Sequence, residues 1–108
     1  LQDLIRLLAI KACENAELNN PQSGCVGGGT GATVGKILGA ERCMKSGLGI
    51  ACVKIGELKV GAVVVLNAFG DVFDTNGNRI AGLLNEDKTG FSSTEEEMYK
   101  SIQPKKQF

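Results

Sequence analysis

The sequence has 108 residues, 43% of them hydrophobic, and its twelve basic and twelve acidic side chains balance. These values predict one small folded domain at most and exclude intrinsic disorder. With no net charge and four Phe, one Tyr and no Trp, the chain lacks the basic field and stacking residues of nucleic-acid-binding proteins. The longest nonpolar run, residues 62–66, is too short to cross a bilayer. We therefore expect a soluble protein with neither a nucleic-acid nor a membrane partner.

The chain opens with a helical pattern that is predicted to end at about Leu18, before the Asn-Asn-Pro at residues 19–21. Nonpolar residues recur at the spacing of one helix face, at Leu1, Leu4, Ile5, Leu8 and Ala12. No capping residue and no initiator Met precede this face. We therefore expect the sequence to be part of a longer protein.

A glycine-rich loop follows at residues 24–31 and leads into residues 32–38. The loop fails the P-loop pattern twice, because Thr30 replaces a required glycine and Ile37 replaces the Ser or Thr after the lysine. Its glycines instead predict close approach of the backbone to another backbone or to a ligand, at a functional surface.

A looser dinucleotide-binding pattern is also present, formed by Gly27, Gly29 and Ala32. That motif requires a preceding strand. Here a helix and a proline-containing turn come first, so nucleotide binding is a minor alternative.

Two strands are predicted at residues 48–55 and 58–66, joined by a two-residue hairpin turn at Gly56-Glu57. The second strand is nonpolar throughout residues 60–66, which predicts that both of its faces are covered. A chain of this length is too short to supply that additional layer.

The remaining elements are predicted from turn and capping signals. The chain turns at residues 74–77 and returns through residues 80–84. Residues 93–96 read Ser-Thr-Glu-Glu, which resembles a capping box that opens a helix to about Ile102.

Asn67 directly follows the nonpolar strand, where a polar side chain is costly unless it is hydrogen-bonded. A carboxamide there can direct its NH2 group into a cleft and stabilise an oxyanion. The alternative is a strand-end asparagine bonded to nearby backbone, and the local sequence alone favours this second interpretation.

Asp71 and Asp74 form the only close acidic pair near the nonpolar strand. They could act as paired carboxylates or as metal ligands. Asp74, however, lies in a turn-forming context and is expected to shape the turn.

The four cysteines, Cys13, Cys25, Cys43 and Cys52, are widely spaced, and the chain contains no histidine. A zinc site and a Ser-His-Asp or Cys-His catalytic site are therefore not predicted, and no cofactor is expected. Cys13 and Cys52 are predicted to be small core residues in a reduced, cytoplasmic protein.

Three segments in series give the chain a family resemblance that covers roughly residues 1–85. They read Gly-Gly-Gly-Thr-Gly-Ala-Thr-Val-Gly-Lys at 27–36, Gly-Leu-Gly at 47–49 and Val-Gly-Ala-Val-Val-Val-Leu-Asn-Ala-Phe-Gly-Asp-Val at 60–72. This series closely resembles the DmpA family of L-aminopeptidase/D-esterases, β-peptidyl aminopeptidases and nylon-oligomer hydrolases.

The resemblance implies an α/β (α+β) fold that is part of a four-layer αββα sandwich, completed by a separate β-chain. Residues 1–108 would be the C-terminal part of the α-chain of one catalytic domain, incomplete alone. It further implies a precursor that cleaves itself before a Ser or Thr following Phe108. That residue becomes the nucleophile of an aminopeptidase acting on peptides or amino-acid amides, and its α-amino group can serve as base. Asn67 would contribute to the oxyanion hole, and the αβ units would form homo-oligomers.

Alternatives from other classes stay open at this stage. Ornithine acetyltransferases share the fold and the self-cleavage, so an acyltransferase is one of them. A nucleotide-binding module and a structural relative that has lost its nucleophile are the others.

Overall fold

The computed structural model describes residues 1–17 and 22–102. Within these residues a helix and a 3-10 turn precede six strands and a final helix, so the chain has mixed α and β content. In chain order they are α1 (Gln2–Glu14), a 3-10 turn (Gly27–Gly29), β1 (Thr33–Val34), β2 (Met44–Lys45), β3 (Leu48–Ile55), β4 (Leu58–Val65), β5 (Val72–Phe73), β6 (Arg79–Ala81) and α2 (Thr94–Ile102). Neither helix in this described part is long and nonpolar enough to cross a membrane.

Helix α1 has the predicted amphipathic pattern but ends at Glu14, earlier than expected. Residues 15–17 are not helical, and the predicted end at Leu18 lies outside the described residues. No side chain caps its first turn, and all of its residues are exposed. A short helix without a packing partner gains little from propensity alone, which explains the earlier end.

Strands β3 and β4 form the predicted antiparallel hairpin, with Leu48 opposite Val65 and Ile55 opposite Leu58. The turn uses Gly56 at a φ of 59°, which glycine adopts without steric cost. Strand β4 is nonpolar on both faces, yet Val63 and its neighbour Val64 are 67% and 53% exposed. The described residues place no layer over these side chains, and the covering of both faces stays a prediction.

The strands β1–β2 and β5–β6 form two further antiparallel pairs. The β5–β6 turn is the predicted one, because Asp74 accepts hydrogen bonds from the backbone amides of Asn76 and Asn78 at 2.9 and 2.8 Å. Helix α2 begins as predicted, with Ser93 Oγ accepting from the Glu96 amide at 3.2 Å.

Among the described residues, the buried hydrophobic side chains are Ala32, Val34 and Leu83. They belong to segments that hydrogen bonds join directly. The Gly35 amide donates to the Gly70 carbonyl at 2.9 Å, and the Ser92 amide donates to the Leu83 carbonyl at 2.9 Å. This small core joins the segment after the glycine loop to β6 and to the start of α2.

Candidate active site

Asn67 lies two residues beyond the end of β4, and its side chain is exposed. The Leu66 amide donates to the Gly47 carbonyl at 3.0 Å, which fixes this end of the hairpin against the chain that precedes β3. Asn67 therefore lies just beyond a strand end that is held by a backbone hydrogen bond.

The carboxamide of Asn67 is oriented by two donors. Its Oδ1 atom accepts from the Lys36 ammonium and from the Thr33 amide, the latter at 3.4 Å. Because an ammonium and a backbone amide only donate, the atom facing them must be the oxygen. The Nδ2 group is thus presented on the other side, and no described residue accepts a hydrogen bond from it.

Backbone hydrogen bonds fix the position of Lys36 relative to the segment that contains Asn67. The Lys36 amide donates to the Phe69 carbonyl and the Gly35 amide to the Gly70 carbonyl, each at 2.9 Å. Gly35 has a φ of 67°, and a Cβ on it would lie 2.2 Å from the Leu83 amide nitrogen. Only glycine fits this position, so the Gly-Lys pair is placed by backbone packing.

Lys36 brings positive charge to the site. Among the described carboxylates, none lies within ion-pair distance of its ammonium. A cation beside the carboxamide oxygen polarises the amide and adds a favourable potential for negative charge nearby. The local sequence places Lys36 in a failed P-loop and in the segment that carries the family resemblance, but gives no signal of its pairing with Asn67, 31 positions away.

The glycine loop packs against the start of β3. Gly24 and Leu48 exchange two backbone hydrogen bonds of 2.8 Å. A Cβ on Gly29 would lie 2.4 Å from the Leu48 nitrogen. The loop leads through a 3-10 turn into a two-residue strand and opens no α-helix whose N-terminus could hold a phosphate. Gly29 therefore serves backbone-to-backbone packing, whereas a Cβ on Gly27 or Gly31 would meet no atom within 4 Å.

The hypothesis that Asp71 and Asp74 act as a carboxylate pair or as metal ligands is wrong, because each is engaged separately. Asp74 holds its own turn through Asn76 and Asn78. Asp71 accepts from the Leu83 amide and from the hydroxyl and amide of Thr94.

The environment of Asp71 holds the pKa of its carboxyl below the usual value. Burial alone would raise that pKa. The hydrogen bonds from the Thr94 hydroxyl and from the Leu83 and Thr94 amides, with the charge of Arg79, together outweigh burial and lower it. Asp71 is therefore an ionised structural acceptor.

The prediction that Cys13 and Cys52 are core residues is wrong, since both are exposed thiols. Their positions on α1 and β3 lack a covering layer in the described part of the chain. Cys25 donates through its Sγ to the Ser46 carbonyl at 2.9 Å. No cluster of three or more potential metal ligands exists within residues 1–17 and 22–102.

An oriented carboxamide beside an ammonium, at the edge of a mixed α and β unit, is an arrangement suited to hydrolases that stabilise an oxyanion. The comparison with known families identifies a peptidase. The family model described as Peptidase family S58 matches residues 4–102, so the chain belongs to this family of DmpA-type peptidases of the N-terminal-nucleophile kind. None of the curated proteins and none of the solved structures matches the chain. The family resemblance read from the sequence is thereby confirmed.

Proposed function

We propose that this chain is the C-terminal part of the α-chain of a self-processing aminopeptidase, in which Asn67 donates a hydrogen bond to the oxyanion. The observation that carries the proposal is the orientation of the Asn67 carboxamide by Lys36 and Thr33. This orientation leaves Nδ2 to meet the developing charge of an attacked carbonyl. The peptidase family supports the hydrolytic reaction over acetyl transfer or nucleotide binding.

The proposed reaction uses a Ser or Thr at the start of a β-chain that follows Phe108. Its hydroxyl oxygen attacks the carbonyl carbon of the substrate amide, and its α-amino group accepts the hydroxyl proton. The carbonyl oxygen becomes an oxyanion, which Asn67 Nδ2 stabilises by donating a hydrogen bond while Lys36 supplies positive charge.

Collapse of this intermediate breaks the carbon–nitrogen bond and transfers the proton to the leaving amine. Water then hydrolyses the acyl-enzyme. In self-cleavage, the same hydroxyl oxygen attacks the carbonyl carbon of the preceding peptide bond, and its proton passes to the leaving nitrogen, which becomes the free α-amino group. Water then hydrolyses the resulting ester. No histidine is required, which agrees with a chain that has none.

The exposed nonpolar surface of β3 and β4 is an argument for a partner layer that packs against it. Nonpolar side chains on both faces of β4 are about half exposed or more. A nonpolar groove of about 380 Å³ also lies open between this hairpin and β6, lined by Leu48, Val64, Leu66 and Ala81. Leaving this much nonpolar surface in water is costly, so we infer that a β-chain covers it, completing the αββα sandwich, and that αβ units associate further.

The test is an Asn67→Ala variant of the full-length protein, compared with Asn76→Ala. Asn76 is exposed in the β5–β6 turn, and only its backbone amide makes a hydrogen bond there. Self-cleavage and hydrolysis of L-, D- and β-alanine and 6-aminohexanoate p-nitroanilides are measured on both.

We expect Asn67→Ala to lower kcat by about a hundredfold or more, as loss of an oxyanion donor does elsewhere. Asn76→Ala should remain near the wild-type rate. A folded Asn67→Ala protein whose kcat falls by less than about threefold would refute the assignment.

A further inference from the structure

Asp71 joins three separate segments of the chain through one carboxylate. Its Oδ1 accepts from the Leu83 amide at 2.8 Å and from the Thr94 hydroxyl at 2.7 Å. Its Oδ2 accepts from the Thr94 amide at 2.9 Å and lies 3.5 Å from the Arg79 guanidinium. The Asp71 side chain is only 5% exposed, so these contacts replace water almost completely.

The surrounding chain is shaped around this carboxylate. A Cβ on Gly82 would lie 2.3 Å from Asp71 Oδ1, so glycine makes room for the acceptor. The Arg79 guanidinium in turn lies over the rings of Phe73 and Phe91, 5.3 and 5.8 Å from their centroids. These two aromatic contacts restrain the guanidinium beside Asp71.

The same short segment also carries the site. Asp71 follows Phe69 and Gly70, whose carbonyls accept from the amides of Lys36 and Gly35 at 2.9 Å each. Lys36 in turn donates to the Asn67 side chain. Thr94, the first residue of α2, is thus connected to Lys36 and Asn67 by hydrogen bonds at both ends of the covalent segment 69–71.

We propose that Asp71 is a positioning residue for the oxyanion donors, which acts by tying the start of α2 to the segment that holds Lys36 and Asn67. This inference rests on the proposed function, because it requires Asn67 to act in catalysis. Helix α2 is the last element of the described part of the chain, so the tie also sets where its end lies relative to Asn67.

Asp71→Asn is the most direct perturbation, since it keeps the shape of the side chain. A carboxamide has only one acceptor oxygen. Its NH2 group would take the place of the other carboxylate oxygen and would face hydrogen-bond donors instead of accepting from them. The expected result is a kcat lower by about ten- to a hundredfold with KM changed by less than about threefold, as for a small displacement of catalytic groups.

Two matched comparisons separate positioning from general destabilisation. Asp74→Asn alters an equally hydrogen-bonded aspartate that holds only its own turn, so its kcat should stay near wild type. Thr94→Val removes the hydroxyl donor while keeping the amide, and should lower kcat by a smaller factor than Asp71→Asn. Thr94→Ser keeps both the hydroxyl and the amide donor, so its kcat should stay near the wild-type value.

The deciding experiment is a double-mutant cycle on the full-length protein with Asn67→Ala and Asp71→Asn. If Asp71 acts through Asn67, Asp71→Asn lowers kcat further by less than about twofold once Asn67 is Ala. Independent, multiplicative losses would overturn the inference, and so would a wild-type kcat in Asp71→Asn or an equal loss in Asp74→Asn. If Asp71→Asn does not fold, Thr94→Val replaces it in the cycle. An unchanged rate in Asn67→Ala alone would instead overturn the proposed function.

Discussion

Replacing Gly47 by Ala tests whether close backbone packing holds the glycine loop against the start of β3. A Cβ on Gly47 would lie 2.3 Å from the Gly24 carbonyl oxygen and 2.4 Å from its carbon. Both distances are far inside van der Waals contact, and both partners are backbone atoms that cannot rotate away. Gly24 must therefore move, which disturbs its two hydrogen bonds of 2.8 Å with Leu48.

The expected cost follows from these two effects. Overpacking of this kind costs about 1–3 kcal/mol and each weakened backbone hydrogen bond about 1 kcal/mol, so the total is about 3–5 kcal/mol. For domains of up to about 250 residues, a loss of 3 kcal/mol lowers the Tm by at least about 6 °C.

Gly49→Ala is the matched control, two residues further along the chain and within β3. A Cβ there meets no atom within 4 Å, and neither Gly47 nor Gly49 has a positive φ. The substitution should be neutral or stabilise by up to about 1 kcal/mol. Thermal unfolding of the full-length variants measures both effects. Equal Tm values for Gly47→Ala and Gly49→Ala would refute the packing role of the loop.

Two further predictions concern charged groups. Lys36→Met should lower kcat by about tenfold or more, because it removes the donor to Asn67 Oδ1 and the positive charge. Lys36→Arg should retain more activity. Steady-state kinetics of both variants test this, and a wild-type kcat in Lys36→Met would contradict it. Since the pKa of Asp71 is lower in the folded protein than its ordinary 3.8, its stabilising contribution is complete above that pH and is lost as the pH falls through the folded value. The free energy of unfolding of the wild type should therefore fall more steeply with pH below about pH 4, and Asp71→Asn should lack this additional loss. Identical acid-unfolding profiles of the two proteins would argue against an ionised Asp71.

Local patterns in the sequence were enough to predict several elements. The β3–β4 hairpin follows from two nonpolar runs around Gly56-Glu57, and the β5–β6 turn from the Asp74 context. The Ser93 cap places the start of α2. In each case the determining contacts lie within a few residues, where periodicity and capping rules apply.

Contacts between distant residues could not be predicted in this way. Lys36 and Asn67 are 31 positions apart, and Asp71 and Thr94 are 23 apart. Nothing in the local sequence shows that these side chains meet. Cys13 and Cys52 were misassigned to a core for a related reason, because hydrophobic character predicts burial only where another layer exists to pack against them.

The central claim is that the full-length protein cleaves itself and that the new β-chain begins with the nucleophile. Mass spectrometry of the purified full-length protein under denaturing conditions tests this most directly. The account predicts two species whose masses sum to that of the precursor, with the second beginning at a Ser or Thr. A single uncleaved species, above all one that still hydrolyses aminoacyl p-nitroanilides, would contradict it.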